Sequence, residues 1–275
     1  MVDLPPPALG STPLSRTLHD FLAKHSDARL TRAARRCAEA SVAFLHSENT
    51  DPRTNGEFEL LRRLGPDMLK TVIDVGANRG NWSREVLRLQ PEAVVYCSEI
   101  SEPTRQALRL AVPDAVVLEY GLLDRDGEVR VKHYSGDDRL SSVYDYPHAL
   151  PAVWREERVM RGDRLIGEQK LERIDMLKID VEGADLAVLR GFQHALETAS
   201  IRVLQFEYGY ASVLARTFLL DFFELLEPND YVIGEIHRGG VELLQYRLER
   251  ENFFGPNFVA VHRSEPELLN RLRPD

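Results

Sequence analysis

Apolar residues along this chain recur in two rhythms. From Leu14 to His46 they keep helical spacing: Leu18, Phe21 and Leu22 share one face, and Leu30, Ala33, Ala34, Cys37, Val42 and Leu45 line another. Arg29, Arg32, Arg35 and Arg36 fall on or near the opposite side, either as a solvated face or as a contact for a partner or substrate. A proline-rich start (residues 1–13) precedes them, expected to be extended or disordered, and the turn-rich segment ENTDPRTNG (48–56) follows. That segment is read as a boundary between a helical extension, residues 1–50, and a second domain, residues 51–275.

Beyond the boundary, short apolar runs alternate with helical patterns. TVIDV (71–75), AVVYC (93–97) and AVVL (115–118) predict strands, with helices from Asn81 to about Leu89 and from Thr104 to Leu110 between them. Strands and helices in this alternation imply an α/β fold, a mostly parallel sheet with helices on both faces. EVRVKH (128–133) alternates with period two and predicts an extra strand or hairpin. Residues 135–165, with Tyr144, Tyr146, His148 and Trp154, read as a long polar loop able to act as a lid. The rhythm resumes with IDMLKID (174–180), a helix over 184–198, IRVLQFE (201–207) and an apolar helix over 213–226. Tyr231–Ile236 and Asn257–His262, linked through Arg238, Gly239 and Gly240, predict an antiparallel pair at the sheet edge.

Composition narrows the function. The net charge is −9, with −10 on residues 51–275 and +1 on residues 1–50, and an acidic body repels phosphate backbones and anionic lipid. Neither nucleic acid nor membrane is therefore an expected partner. Two cysteines, Cys37 and Cys97, are too few for a disulfide framework, and Cys97 in its apolar run reads as a buried thiol. MVDLPPPALG has neither the basic start nor the apolar segment of a secretory signal, so a cytoplasmic location is expected.

Three stretches carry candidate chemistry. DVGANRG (74–80) joins a strand to a helix through a glycine turn, a form that sets backbone N–H groups and a helix N-terminus beside an anion. Its pattern is G-x-x-x-G, with Asn78 where a dinucleotide site would have its middle glycine. A nicotinamide-dependent oxidoreductase is thereby disfavoured, while a single carboxylate still fits. Glu99, at the end of the second strand, stands where an acid can accept hydrogen bonds from both ribose hydroxyls of an adenosine. In LKIDVEG (177–183), Lys178, Asp180 and Glu182 alternate towards the end of a strand, and Glu207 ends the next strand likewise. Asp180 and Glu207 could together hold a divalent cation such as Mg²⁺ through oxygen, or serve as helix caps and ion-pair partners. His237, beside Gly239 and Gly240, is the histidine best placed as a base, with His133 and His148 as further candidates.

These residues resemble the FkbM family of S-adenosylmethionine-dependent methyltransferases. The matching stretches are VIDVGANRGNWS (72–83), YCSEISEPTRQAL (96–108), LLDRDGEV (122–129), LSS (140–142), IDMLKIDVEGADLAVLRG (174–191) and QFEY (205–208), in family order. The resemblance implies a class I methyltransferase fold with seven strands, the last inserted antiparallel, and methyl transfer to a hydroxyl oxygen of a small molecule such as a natural product or sugar. It implies that Asp74, Gly76, Asn78, Gly80 and the neighbouring Asn81 line the methionine part of the cofactor. Glu99 would hold the ribose, and Asp180 and Glu182 would face the active site, where Asp180 and Glu207 are expected to flank the acceptor hydroxyl, either binding Mg²⁺ or acting on it directly. Glu57 matches a family acid for which the sequence supplies no physical role. Ile100 replaces the usual proline after the ribose acid and alters the turn on the adenine side. An N-methyltransferase is the main alternative, and residues 1–50, outside the resemblance, are expected to cover the acceptor or to form a homodimer contact.

Overall fold

The structure, a computed structural model, describes residues 20–21, 24–46, 51–135, 141–145, 149–253, 255 and 257–274. The chain divides into two compact units, Met1–Asn49 and Thr50–Asp275. The first contains a helix, Arg29–His46, on which Leu30 and Cys37 are exposed. The expected pairing of Leu18 with Leu22, the proline-rich start, Tyr146 and His148 lie outside the described residues.

Among its described residues the second unit carries eleven strands. They are β1 (Thr71–Val75), β2 (Val94–Ser98), β3 (Val116–Val117), β4 (Gly121–Leu123), β5 (Gly127–Tyr134), β6 (Ala152–Arg161), β7 (Ile174–Ile179), β8 (Ile201–Glu207), β9 (Tyr231–His237), β10 (Gly240–Leu243) and β11 (Asn257–His262). Eight form one sheet in the order β10-β9-β11-β8-β7-β1-β2-β3. From β3 to β8 the neighbours are parallel, whereas β11 runs antiparallel to both β8 and β9. The expected edge pair is thus corrected: β9 and β11 do pair antiparallel, but β11 is interior. The edge is the hairpin partner β10, which makes the sheet eight-stranded rather than seven-stranded. The turn after β9 folds the chain straight back on itself, and that return supplies the extra strand.

The central strands are buried on both faces, so they read as apolar runs rather than alternations. All six residues of β7 are buried. One face packs Ile73, Val75, Leu177, Leu204 and Phe206 against Phe222, and the other packs Val72, Val95, Met176 and Val203 against Leu61 and Trp82. Helices Asn81–Leu89 and Glu102–Ala111 each stop two residues before a proline (Pro91 and Pro113), because the helical conformation is disfavoured at the intervening residue.

Three expectations change. Residues 152–161 are a ten-residue strand, not loop, pairing with β5 along its whole length. Together with β4 they build a second, three-stranded sheet, and helix Gly162–Gln169 follows. The pattern over 184–198 resolves into two helices, Asp185–Gly191 and Gln193–Glu197, because the fully buried Phe192 leaves helical geometry between them. The apolar stretch over 213–226 likewise splits into Tyr210–Ala215 and Leu219–Leu226, with Arg216 left-handed (φ 56°). The second of these begins where Asp221 Oδ2 accepts the Phe218 N–H at 2.7 Å and Glu251 accepts those of Leu219 and Leu220.

Candidate active site

Register lays a row of polar residues across the buried sheet. Asp74 of β1 stands opposite Cys97 of β2 on one side and Lys178 of β7 on the other, and Lys178 stands opposite Gln205 of β8. These side chains share the face that also carries Trp82 and Met176. Asp74 is fully buried; its Oδ2 accepts the Ser83 hydroxyl at 2.5 Å, and its Oδ1 lies 3.6 Å from Lys178 Nζ. Lys178 donates to Asp180 Oδ2 at 3.1 Å and sits 5.8 Å above the Trp82 ring. Burial would strip its charge, but Asp180, Asp74 and Glu57 overcome that and hold the ammonium well above its usual range. An ionised lysine inside a sheet is tolerable only with such partners. Cys97 is the inert buried thiol the sequence implied, pushed up to about 12 by burial and by the Asp74 charge.

Glu57 now has a physical role. It begins helix Glu57–Leu64, is buried, and accepts the Gln205 amide at 2.8 Å and the Asn55 amide at 2.6 Å. Burial raises its carboxyl, and the Lys178 charge opposes that rise. Glu57 is therefore a third carboxylate around the one buried ammonium, reaching it from a helix far away in sequence.

The glycine turn is bound to its neighbours on both sides. Gly76 has φ +80°, and a Cβ there would stand 1.8 Å from the Asp180 carbonyl oxygen. The turns after β1 and β7 touch through backbone, and no side chain fits between them. Gly80, left-handed at φ +74°, starts helix Asn81–Leu89 without a side-chain cap, and a Cβ there would meet Val112 at 2.3 Å. The first bond of that helix runs from Arg84 N to Gly80 O, so its leading N–H groups have no carbonyl within the helix. An unpaired helix start beside a glycine turn fits a carboxylate of the methionine kind.

Asn78, with φ 48°, donates its backbone N–H to Glu99 Oε2 at 3.0 Å, while Ser101 N–H donates to Oε1 at 2.9 Å. Glu99 is buried, and burial pushes its carboxyl up to about 7 against the pull of those two N–H groups. Arg105, which the sequence did not single out, donates to the carbonyls of Glu99 and Ile100 at 2.8 Å each and so shapes the turn that lacks the family proline. Its signal was a cation one helical turn after Ser101, the residue that starts its helix.

At the carboxyl ends of β7 and β8 the carboxylates crowd. Asp180 has a side chain 40% exposed, opening to solvent, and Glu182 is left-handed at φ 52°. Asp185 is buried; it accepts the Glu207 N–H at 3.1 Å, its Oδ2 has no partner, and burial with the Asp180 charge pushes it up to about 7. Glu207 is raised as well, by burial first and then by Asp180, Glu182, Asp185 and Glu57. Sequence reasoning missed Asp185, whose signal was its position at the start of a helix. Among the described residues, no three His, Cys, Asp or Glu side chains converge as a metal site.

The sites foreseen from sequence are thus gathered unevenly. Asp74, Gly76, Asn78, Gly80, Asn81 and Glu99 surround the ends of β1 and β2, with Ile100 just beyond, and Asp180 and Glu207 surround the ends of β7 and β8. His237 is not brought to them. Its ring is 44% exposed and faces Glu235 at 3.5 Å and Glu242 at 3.7 Å within the β9–β10 hairpin. β11, inserted between β8 and β9, pushes that hairpin outward.

A parallel sheet with one antiparallel strand inserted next to its edge pair, and a glycine turn and an acid closing its first two strands, is the class I methyltransferase fold. The family follows from comparison: residues 74–233 match the methyltransferase FkbM domain, and the chain belongs to that family. It is 31% identical over 170 residues to the AMB antimetabolite synthetase AmbE of Pseudomonas aeruginosa, a match covering 48% of this chain and only 8% of that protein. It is 27% identical over 188 residues to the 2-O-methyltransferase NoeI of Sinorhizobium fredii, covering 61% of this chain and 75% of NoeI. A solved methyltransferase FkbM from Methylobacillus flagellatus superposes with a TM-score of 0.45 at 16% identity, over 70% of this chain and 44% of the other. No helix among the described residues is long and apolar enough to cross a membrane.

Proposed function

We propose that this chain transfers a methyl group from S-adenosylmethionine to a hydroxyl oxygen of a small molecule. The observation that carries the reading is the bond from Asn78 N–H to Glu99 Oε2. It ties the glycine turn to the acid, so the two loops that would hold the methionine and ribose ends of one nucleoside form a single rigid rim. The printed name of NoeI, a 2-O-methyltransferase, supports oxygen as the acceptor atom.

When bound, the cofactor supplies an electrophilic methyl on a cationic sulfur. The protein's part is to align donor and acceptor and to see the acceptor hydroxyl's proton removed. The helix start at Asn81 would receive the carboxylate and Glu99 the ribose. Asp180, held by Lys178, and Glu207, beside it among carboxylates, would flank the acceptor and accept or donate hydrogen bonds to its hydroxyl groups. The acidic mouth favours a neutral or cationic acceptor over an anionic one.

Calorimetric titration tests the reading. S-adenosylhomocysteine is expected to bind and NAD not to bind; NAD binding in its place would restore the oxidoreductase alternative. Adding MgCl₂ to the nucleoside-loaded chain is expected to release no saturable heat, whereas saturable binding would return Asp180 and Glu207 to the role of metal ligands.

A further inference from the structure

His133 lies on β5, in the ribbon that sequence patterning read partly as loop. Its side chain is 12% exposed, and its Nε2 stands 3.1 Å from Glu157 Oε1 on β6, whose own side chain is 13% exposed. At that distance the Glu157 carboxylate faces the ring nitrogen and can orient the imidazole. On the other side of the ring, Nδ1 is 3.4 Å from the Ser141 hydroxyl. The next residue, Ser142, donates its hydroxyl to the Glu182 carbonyl at 2.9 Å and pairs by backbone with Lys132. The imidazole is thereby fastened to the turn after β7, which carries Asp180 and Glu182. Arg105, which holds the carbonyls of the Glu99 turn, is close enough for its charge to act on the same ring.

His133 therefore lies beside the segment that is tied to the turn after β7, with one nitrogen turned to a carboxylate and the other to a hydroxyl. We propose that His133, oriented by Glu157, is the base that takes the proton from the acceptor hydroxyl, with the Ser141 hydroxyl marking the place of that acceptor in the resting protein. The assignment rests on the methyl-transfer reading above. In the step, the acceptor O–H bond breaks and its proton goes to Nδ1. The oxygen's electron pair forms the new O–CH₃ bond as the carbon–sulfur bond breaks, and that bond's electrons stay on sulfur as the neutral thioether. His133 then returns the proton to solvent. A catalytic imidazole must be neutral before the step. Burial lowers His133; Glu157 opposes this, while the Arg155 and Arg105 charges add to the lowering. The groups facing the ring are Glu157 and Arg155 of β6, Arg105 of the helix after β2, and Ser141.

The test is NMR of the intact chain with isotope-labelled histidine, titrated in the presence of S-adenosylhomocysteine and separately of S-adenosylmethionine. His133→Asn assigns the resonance by its loss and is expected to keep S-adenosylhomocysteine affinity within about twofold. The ring should be neutral at pH 7 with its hydrogen on Nε2, and Glu157→Gln should erode that tautomer. The cationic nucleoside should lower the ring's midpoint relative to the neutral one by about 1.5 pH units, the effect of a unit charge roughly 8 Å away at an effective dielectric of ~20. A ring far from the transferred methyl group would not sense which nucleoside is bound. Equal midpoints, or a hydrogen resident on Nδ1, overturn the base assignment alone. A wild-type chain that binds neither nucleoside overturns the methyl-transfer reading and the base with it.

Discussion

If Glu99 holds the ribose as proposed, nucleoside binding should depend on pH in one direction. Its carboxyl is raised to about 7, by burial first, with the Ser101 and Asn78 N–H groups opposing. Ribose hydroxyls donate hydrogen bonds, so they favour the ionised carboxylate, and the protonated form must lose its proton before it can accept both. The sign follows: affinity for S-adenosylhomocysteine rises with pH through about 7 and levels off above it. With a single controlling group, the slope approaches one decade per pH unit on the acid side, so binding at pH 5 should be roughly a hundredfold weaker than at pH 8. Glu99→Gln removes both the charge and the titration. Its amide nitrogen also faces one of the two backbone N–H groups that now meet carboxylate oxygens, leaving a buried donor unpaired. Loss of two charge-assisted bonds to the ribose amounts to about 3 kcal/mol, or roughly a hundredfold in Kd at pH 8. Calorimetry across pH 5 to 8 on both proteins measures this. A flat profile in the wild type, or a variant as tight as the wild type, would refute the reasoning.

Three further outcomes follow from the same geometry. Gly76→Ala drives a Cβ into the Asp180 carbonyl at a left-handed φ; a loss of about 3 kcal/mol or more, roughly 10 °C in Tm, is expected by calorimetric scan, and a shift within a degree or two would show that the two turns can part freely. Lys178→Met strands Asp74 and Glu57, whose carboxyls are already raised by burial. Because stranded carboxyls can escape by taking up protons, a destabilisation of about 3–5 kcal/mol at pH 8 should shrink at pH 5 in urea titrations; equal losses at both would contradict the buried-charge account. Glu251 accepts the Tyr208 and Tyr246 hydroxyls and the Leu219 and Leu220 N–H groups. Glu251→Gln should therefore cost about 2 kcal/mol and speed hydrogen exchange at those two amides, and unchanged exchange there would count against the cap.

The legible part of the site was the part written in adjacent residues. A turn such as DVGANRG and an acid at a strand end announce themselves, because backbone geometry and strand polarity are local properties. The reasons behind them were less visible. Gly76 is required by the Asp180 carbonyl, over a hundred residues away, and Glu57 acquired its role only through Gln205 and Lys178. His237 drew attention beside its glycines yet sits in an acidic surface hairpin, whereas His133, less conspicuous in sequence, is packed against Glu157 and Ser141. Residues 152–161 concealed a strand because their exposed, charge-rich face looks like loop until β5 lies beside them.

By itself the sequence determined the α/β alternation, the parallel centre of the sheet and the identity of the residues at its strand ends, since apolar periodicity, glycine and proline act over a few residues. The tertiary structure alone decided that β11 would enter between β8 and β9, that β10 would form the edge, and that one buried ammonium would be shared by three carboxylates from separate elements. Those outcomes depend on register and on the exclusion of water, and neither exists until distant segments pack.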